Sequence, residues 1–255
     1  MKKSRLSIIV VLALILCMIL ALPASAEQPV YSSNKVITVD GITYTIQIMA
    51  EPRANGSCGI MTSMRASQEV GPGYFGSQPL MYLSNGVLIA TGPWDYIPSY
   101  NDIYAIFSGA GLSYYPYNLY YAVCNLHFFD TSIDGYRSYQ SNRTPNFYCP
   151  SLSRSVSMEE DEQVFNINVN EHGMTYGSYL AAADGNSEAP DLIAAIATNG
   201  QAGYILRTDF EINNSLTLEQ VQAGIDNVEC YIPVYDSNGE TVIGEFLTYK
   251  VVPKA

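Results

Sequence analysis

Lys35-Val36-Ile37-Thr38-Val39-Asp40-Gly41-Ile42-Thr43-Tyr44-Thr45-Ile46-Gln47-Ile48-Met49 is the stretch that decides the fold class. Apolar and polar residues alternate on both sides of Asp40-Gly41, a pair tolerant of positive φ, and that combination predicts a β-hairpin. A second hairpin is predicted where Gln78 through Ser84 and Val87 through Thr91 flank Asn85-Gly86. Leu119 through Phe129 reads as one long central strand, and residues 136–148 as another, ending at Tyr148-Cys149-Pro150. Helix signals are almost absent before residue 150. Short β-rich segments separated by Gly and Pro predict an antiparallel β-sandwich over residues 27–150.

Further along the pattern changes. Residues 151–163 are serine-rich and then acidic, and predict a linker or solvated edge. Residues 164–255 predict a small acidic α+β domain. Val164 through Val169 alternates like a strand, and Pro190 through Ala197 predicts a short helix begun by the proline and stopped near Asn199-Gly200. Thr217-Leu218-Glu219-Gln220 has the form of a capping box opening a helix that runs to about residue 224. Ile232 through Tyr235 and Thr241 through Phe246 flank Asp236-Ser237-Asn238-Gly239-Glu240, a closing hairpin. The expected class is mainly β, an N-terminal antiparallel β-sandwich followed by a small α+β domain.

The first 26 residues predict an address. Lys2, Lys3 and Arg5 precede an apolar run from Ile8 to Leu22, and Ala24 and Ala26 sit three and one residues before a cut at Glu27. A spanning helix needs roughly 20 apolar residues, more than this run supplies. Leu16 before Cys17 does not suit lipid attachment. The mature chain is therefore expected to be secreted, and the lack of an apolar carboxy-terminal tail fits release into the medium.

All 24 acidic residues and nine of the 12 bases lie beyond residue 26, a net charge of −15. Such a surface repels phosphate backbones and anionic lipid, which argues against nucleic-acid or membrane partners. Residues 27–150 hold 8 acids, 5 bases and 15 of the 21 tyrosines, whereas residues 151–255 hold 16 acids and 4 bases. That step in composition predicts two modules.

Four cysteines follow the leader: Cys58, Cys124, Cys149 and Cys230. An oxidising exterior permits disulfides, and Cys58 with Cys124 is the favoured pairing because both lie in strand-like sequence. Free buried thiols are the alternative. No CxxC pair exists and only His127 and His172 could assist, so neither a metal nor another cofactor is expected. The loops 236–240 and 184–188 offer oxygens at short spacing, but neither matches an EF-hand. Both read as polar turns.

Three stretches of the last segment carry a resemblance: Gly173-Met174-Thr175-Tyr176-Gly177-Ser178, then Pro190-Asp191-Leu192-Ile193 leading to Gly203-Tyr204-Ile205 and Asp209, then Ile232 through Phe246. Together they resemble a C-terminal module of exported proteins from Gram-positive, largely clostridial, bacteria, a module also found after membrane metallopeptidases of the β-lactamase-regulator type. The resemblance covers about residues 165–250 and implies no catalytic residue. The zinc motif HExxH is absent, and Glu171-His172 has no second His four residues on. The first segment is similar, more loosely, to Tyr/Gly-rich β-modules of such proteins through Gly73-Tyr74-Phe75-Gly76, Leu80 through Gly86, and Trp94.

For chemistry, no GxSxG is present, and nothing selects one pair among the many carboxylates for glycoside hydrolysis. A thiol hydrolase would need Cys58, with small neighbours in Gly56-Ser57-Cys58-Gly59, and His127 as its base. The most unusual feature is aromatic: eight tyrosines fall between Tyr96 and Tyr121, just after Trp94. Trp94, Tyr96, Tyr100, Tyr104, Tyr114, Tyr115 and Tyr117 are the predicted ligand-binding residues, since flat rings stack on sugars and serve protein interfaces. The expected function is a secreted, non-enzymatic binding protein for a cell-wall or host glycan or an extracellular protein. A Cys58/His127 thiol hydrolase and an accessory of an envelope-sensing system are the alternatives.

Overall fold

The first predicted hairpin forms as expected. After a short strand β1 (Val30–Tyr31), strands β2 (Lys35–Val39) and β3 (Ile42–Pro52) pair antiparallel, with Val39 opposite Ile42. Asp40 (φ 51) and Gly41 (φ 75) both take left-handed backbone, the two-residue turn whose twist matches the flanking strands. The computed structural model describes residues 28–53, 57–98, 102–108, 112–113, 119–148, 167–182, 189–211 and 216–254, with backbone alone for 102–108, 112–113 and 181–182. The predicted leader and linker lie outside the described residues.

The first segment continues through β4 (Ser57–Val70), β5 (Phe75–Leu83), β6 (Leu88–Thr91), β7 (Asp95–Tyr96), β8 (Asp102–Ser108), β9 (Leu112–Ser113), β10 (Tyr120–Asp130) and β11 (Gly135–Gln140). The second holds β12 (Asn168–Val169), β13 (Thr175–Gly177), a 3-10 turn over Tyr179–Ala182, β14 (Leu192–Ile196), β15 (Ala202–Leu206), the single helical turn α1 (Arg207–Phe210), α2 (Leu218–Ala223), β16 (Ile225–Tyr235) and β17 (Val242–Pro253). The class is mainly β, as expected. The capping box is present: Gln220 N–H donates to Thr217 Oγ1, and Thr217 N–H donates to Gln220 Oε1.

Two sheets result. One runs β1-β3-β4-β8, with β2 also on β3 and β9 on β4; the other runs β11-β10-β5-β6-β14-β15-β16-β17. Alternate residues of the first sheet, Tyr44, Ile46 and Ile48 with Ile60 and Met64, pack against Tyr120, Ala122, Cys124, Leu126 and Phe128 of β10. This is the period-two burial read from the sequence. The intervening residues of β10, Tyr121 and Val123, face the other way, into a second core with Leu80, Tyr82 and Leu88. The second sheet is thus a middle layer, apolar on both faces.

That layering corrects one prediction. Residues 192–196 form a strand, not a helix, and all five are buried. Ala194 and Ile196 face the first core while Ile193 and Ala195 face the second. A strand buried on both sides is continuously apolar, and so mimics a buried helix in its hydrophobic pattern. The second hairpin also differs in detail. Gly86 N–H donates to Leu83 O and Leu83 N–H to Val87 O, so the loop is three residues long, with Gly86 alone left-handed (φ 98).

The step in composition near residue 150 does not coincide with a break in packing. β14 pairs parallel with β6 of the first segment, Ala195 opposite Leu88, and the second core draws on both segments. The second sheet then curls. β16 meets β15 only at Tyr204↔Tyr235 and Ile205↔Val234 before running back with β17 over the middle layer. The outer edge of β17 is covered: Thr198 N–H donates to Glu245 O at 2.8 Å, Asn199 Nδ2 to Ile243 O at 3.0 Å, and Thr91 Oγ1 to Leu247 O at 3.4 Å. Covering a strand edge suppresses pairing with other chains. Gly244 permits this closure, because a Cβ there would fall 2.7 Å from that of Ala197.

Candidate binding surface

Two of the predicted aromatic residues do not lie on the surface. Trp94 and Tyr96 are buried, at 5% and 6% exposure. The Trp94 ring stacks on His127 with centroids 3.9 Å apart, and Tyr96 Oη lies 2.8 Å from His127 Nδ1. Trp94 is further tied down by Asn227, whose amide accepts from its N–H and donates to its C=O, both at 2.9 Å. Burial pushes the Tyr96 phenol well above its ordinary pKa, which keeps it protonated. These two rings are core residues, which corrects their assignment to a ligand face. Tyr104 occupies the position in β8 opposite Arg65. Its side chain, and all of Tyr100, Tyr114, Tyr115 and Tyr117, lie outside the described residues.

The cysteines also depart from expectation. Cys58 and Cys124 are fully buried free thiols, not a disulfide. They line the same core from different sheets, Cys58 on β4 and Cys124 on β10, where Thr62 Oγ1 donates to Cys124 Sγ at 3.1 Å. Burial raises the Cys124 thiol to about 11, which suppresses its reactivity. Cys149 lies outside the described residues. The Cys58/His127 dyad is not assembled either. Cys58 faces the first core, as do Cys124 and Leu126 of β10, and His127 points to the opposite face of that strand. A sheet stands between the thiol and the imidazole, and both are buried.

Among the described residues no group of three or more His, Cys, Asp or Glu is placed to hold a metal. The 236–240 loop is a turn, as read: Asp236 Oδ1 accepts from the backbone N–H groups of Asn238, Gly239, Glu240 and Thr241. The other predicted polar loop, 184–188, lies outside the described residues. No helix among the described residues is long and apolar enough to cross a membrane.

An exposed aromatic face is present elsewhere, on the β16–β17 hairpin. Near its loop, Ile232, Val234 and Phe246 point inward; near its open end Asn227 and Val251 do, positions of the opposite parity. The side of the ribbon that meets the core therefore changes along its length, which the strong twist of two-stranded ribbons allows. Between Ile232 and Asn227 the outward positions are Tyr231 and Glu229, paired across the ribbon with Leu247 and Tyr249; Pro233 pairs with Glu245 beside them. Tyr231 is 55% exposed, Glu229 and Glu245 are exposed, and Leu247, Tyr249 and Pro233 are half-buried. Burial, followed by the charge of Glu229 and the proximity of Tyr231, raises the Tyr249 phenol pKa, so the three side chains share one neighbourhood.

This face carries no dense run of tyrosines that would mark it in the sequence. The available signal was alternation: Glu229-x-Tyr231-x-Pro233 and Glu245-x-Leu247-x-Tyr249 interleave with residues that turn inward. No family model, no curated protein and no solved structure matches this chain.

Proposed function

We propose that the chain is an exported, non-enzymatic binding protein that engages an extracellular glycan through the outer face of the β16–β17 hairpin. The observation that carries this reading is Tyr231, an exposed ring flanked by Leu247 and Tyr249 and bordered by the Glu229 and Glu245 carboxylates. Flat aromatic rings stack on the apolar faces of sugar rings, and carboxylates accept hydrogen bonds from sugar hydroxyls. The ribbon is held by both segments through the second and third cores, so its outward residues are presented on a packed support. Export rests on the leader-like residues 1–26.

The test is a pull-down of residues 27–255 with insoluble cell wall, mucin and common polysaccharides. Tyr231→Ala, and separately the combined change of Tyr114, Tyr115 and Tyr117 to Ala, locate the surface. Saturable binding lost in Tyr231→Ala supports the hairpin. Loss only in the triple variant moves the site to the first segment, and binding to none of the materials removes the glycan reading.

A further inference from the structure

Resting on that reading, we propose that the glycan is cationic: an amino-sugar polymer carrying free ammonium groups. On the outward face of the hairpin each of the rings Tyr231 and Tyr249 has an acid beside it. Glu229 stands opposite Tyr249 and two residues from Tyr231, and Glu245 lies two residues from Leu247, the partner of Tyr231. No lysine or arginine shares this face. Of the two bases the ribbon and its end carry, Lys250 stands opposite Val228 on the reverse side, and Lys254 Nζ is 3.8 Å from Asp226 Oδ1. The segment of sequence that carries the hairpin is itself acidic, with 16 acids against 4 bases over residues 151–255.

A sugar amine placed over such a face has two favourable partners, the carboxylate and the negative face of the ring. Phosphate-, sulfate- or uronate-bearing polymers would meet like charge at the same positions, and juxtaposed like charges reject a partner. A neutral sugar would retain the stacking and lose the ionic contribution. The arrangement therefore discriminates by charge, where rings alone would not.

The experiment compares matched insoluble polymers at mildly acidic pH: chitosan, the same material after N-acetylation, and immobilised polylysine as a protein-like cation. Each is titrated with residues 27–255 at low and high salt, with Tyr231→Ala and a Glu229→Gln/Glu245→Gln double variant alongside. The expected result is binding to chitosan about fivefold to tenfold tighter than to its acetylated form at low salt, a factor two surface charge pairs supply. Salt or the double Gln change should collapse that difference, and Tyr231→Ala should weaken both polysaccharides. Equal binding to the two polysaccharides would leave the glycan reading standing and overturn the cationic one. Binding to neither would overturn the cationic proposal, while the glycan reading would stand or fall with the pull-down on cell wall, mucin and common polysaccharides. Polylysine binding as tight as chitosan binding, unaffected by Tyr231→Ala, would reduce the effect to net charge and overturn the proposal.

Discussion

Ala195 stands opposite Leu88 in the parallel pair that joins β14 to β6, and at this point the acidic second segment enters the sheet of the tyrosine-rich first one. Both residues are fully buried in one core. The two segments are therefore expected to unfold together. Leu88→Ala should cost about 3 kcal/mol, the ordinary range for emptying a leucine site. In urea, far-UV circular dichroism and the fluorescence of Trp94, the only tryptophan, should follow one coincident transition. Two separated transitions would show modules that fold alone.

The Trp94–Asn227 contact ties the first segment to the hairpin that carries the candidate surface. Replacing Asn227 by Ala leaves a partly buried N–H and C=O without that partner. A loss of about 1–2 kcal/mol is expected, with a shift in Trp94 emission in the folded state. An unchanged spectrum and an unchanged urea midpoint would refute this.

Tyr82 and Tyr121 stack with centroids 5.3 Å apart and planes 6° from parallel, and neither hydroxyl has a hydrogen-bond partner among the described residues. Both are fully buried. Tyr82→Phe and Tyr121→Phe should accordingly be neutral or stabilising by up to about 1 kcal/mol, because each removes an unsatisfied group without opening a cavity. Tyr96→Phe is the contrast. It removes the bond to His127 Nδ1 and should cost about 1 kcal/mol by the same thermal or urea measurement.

Asp130 predicts a pH dependence. Its carboxylate accepts from the Ser132 hydroxyl and backbone N–H and from Arg137, and these bonds hold its pKa at about 2, below the ordinary carboxylate range. A depressed folded-state pKa adds stability at neutral pH that is lost as pH falls from about 4 toward 2. Asp130→Asn should therefore lower the urea midpoint at pH 7 and converge with the unsubstituted chain near pH 2. A gap that persisted undiminished at pH 2 would assign the loss to packing instead of ionisation.

The elements written in adjacent residues were legible in the chain. Asp40-Gly41 supplies both positive-φ residues of the first turn, the alternation of Ile42 through Met49 places Tyr44, Ile46 and Ile48 on one buried face, and Thr217 with Gln220 caps α2. Turn chemistry, strand alternation and capping act over two to four residues, so sequence neighbours suffice to specify them. The tertiary structure decided what depends on distant partners. Residues 192–196 are a strand because β6, β13 and β15 bind its two edges and cores lie on both faces, none of which local pattern carries. Trp94 and Tyr96 are buried because α2 and β17 come to cover them, whereas Tyr231 faces outward because a twisted ribbon turns its neighbours Cys230 and Ile232 toward the core. A tyrosine suits a half-buried strand whichever side it takes, and only the packing of the layers determines which side meets solvent.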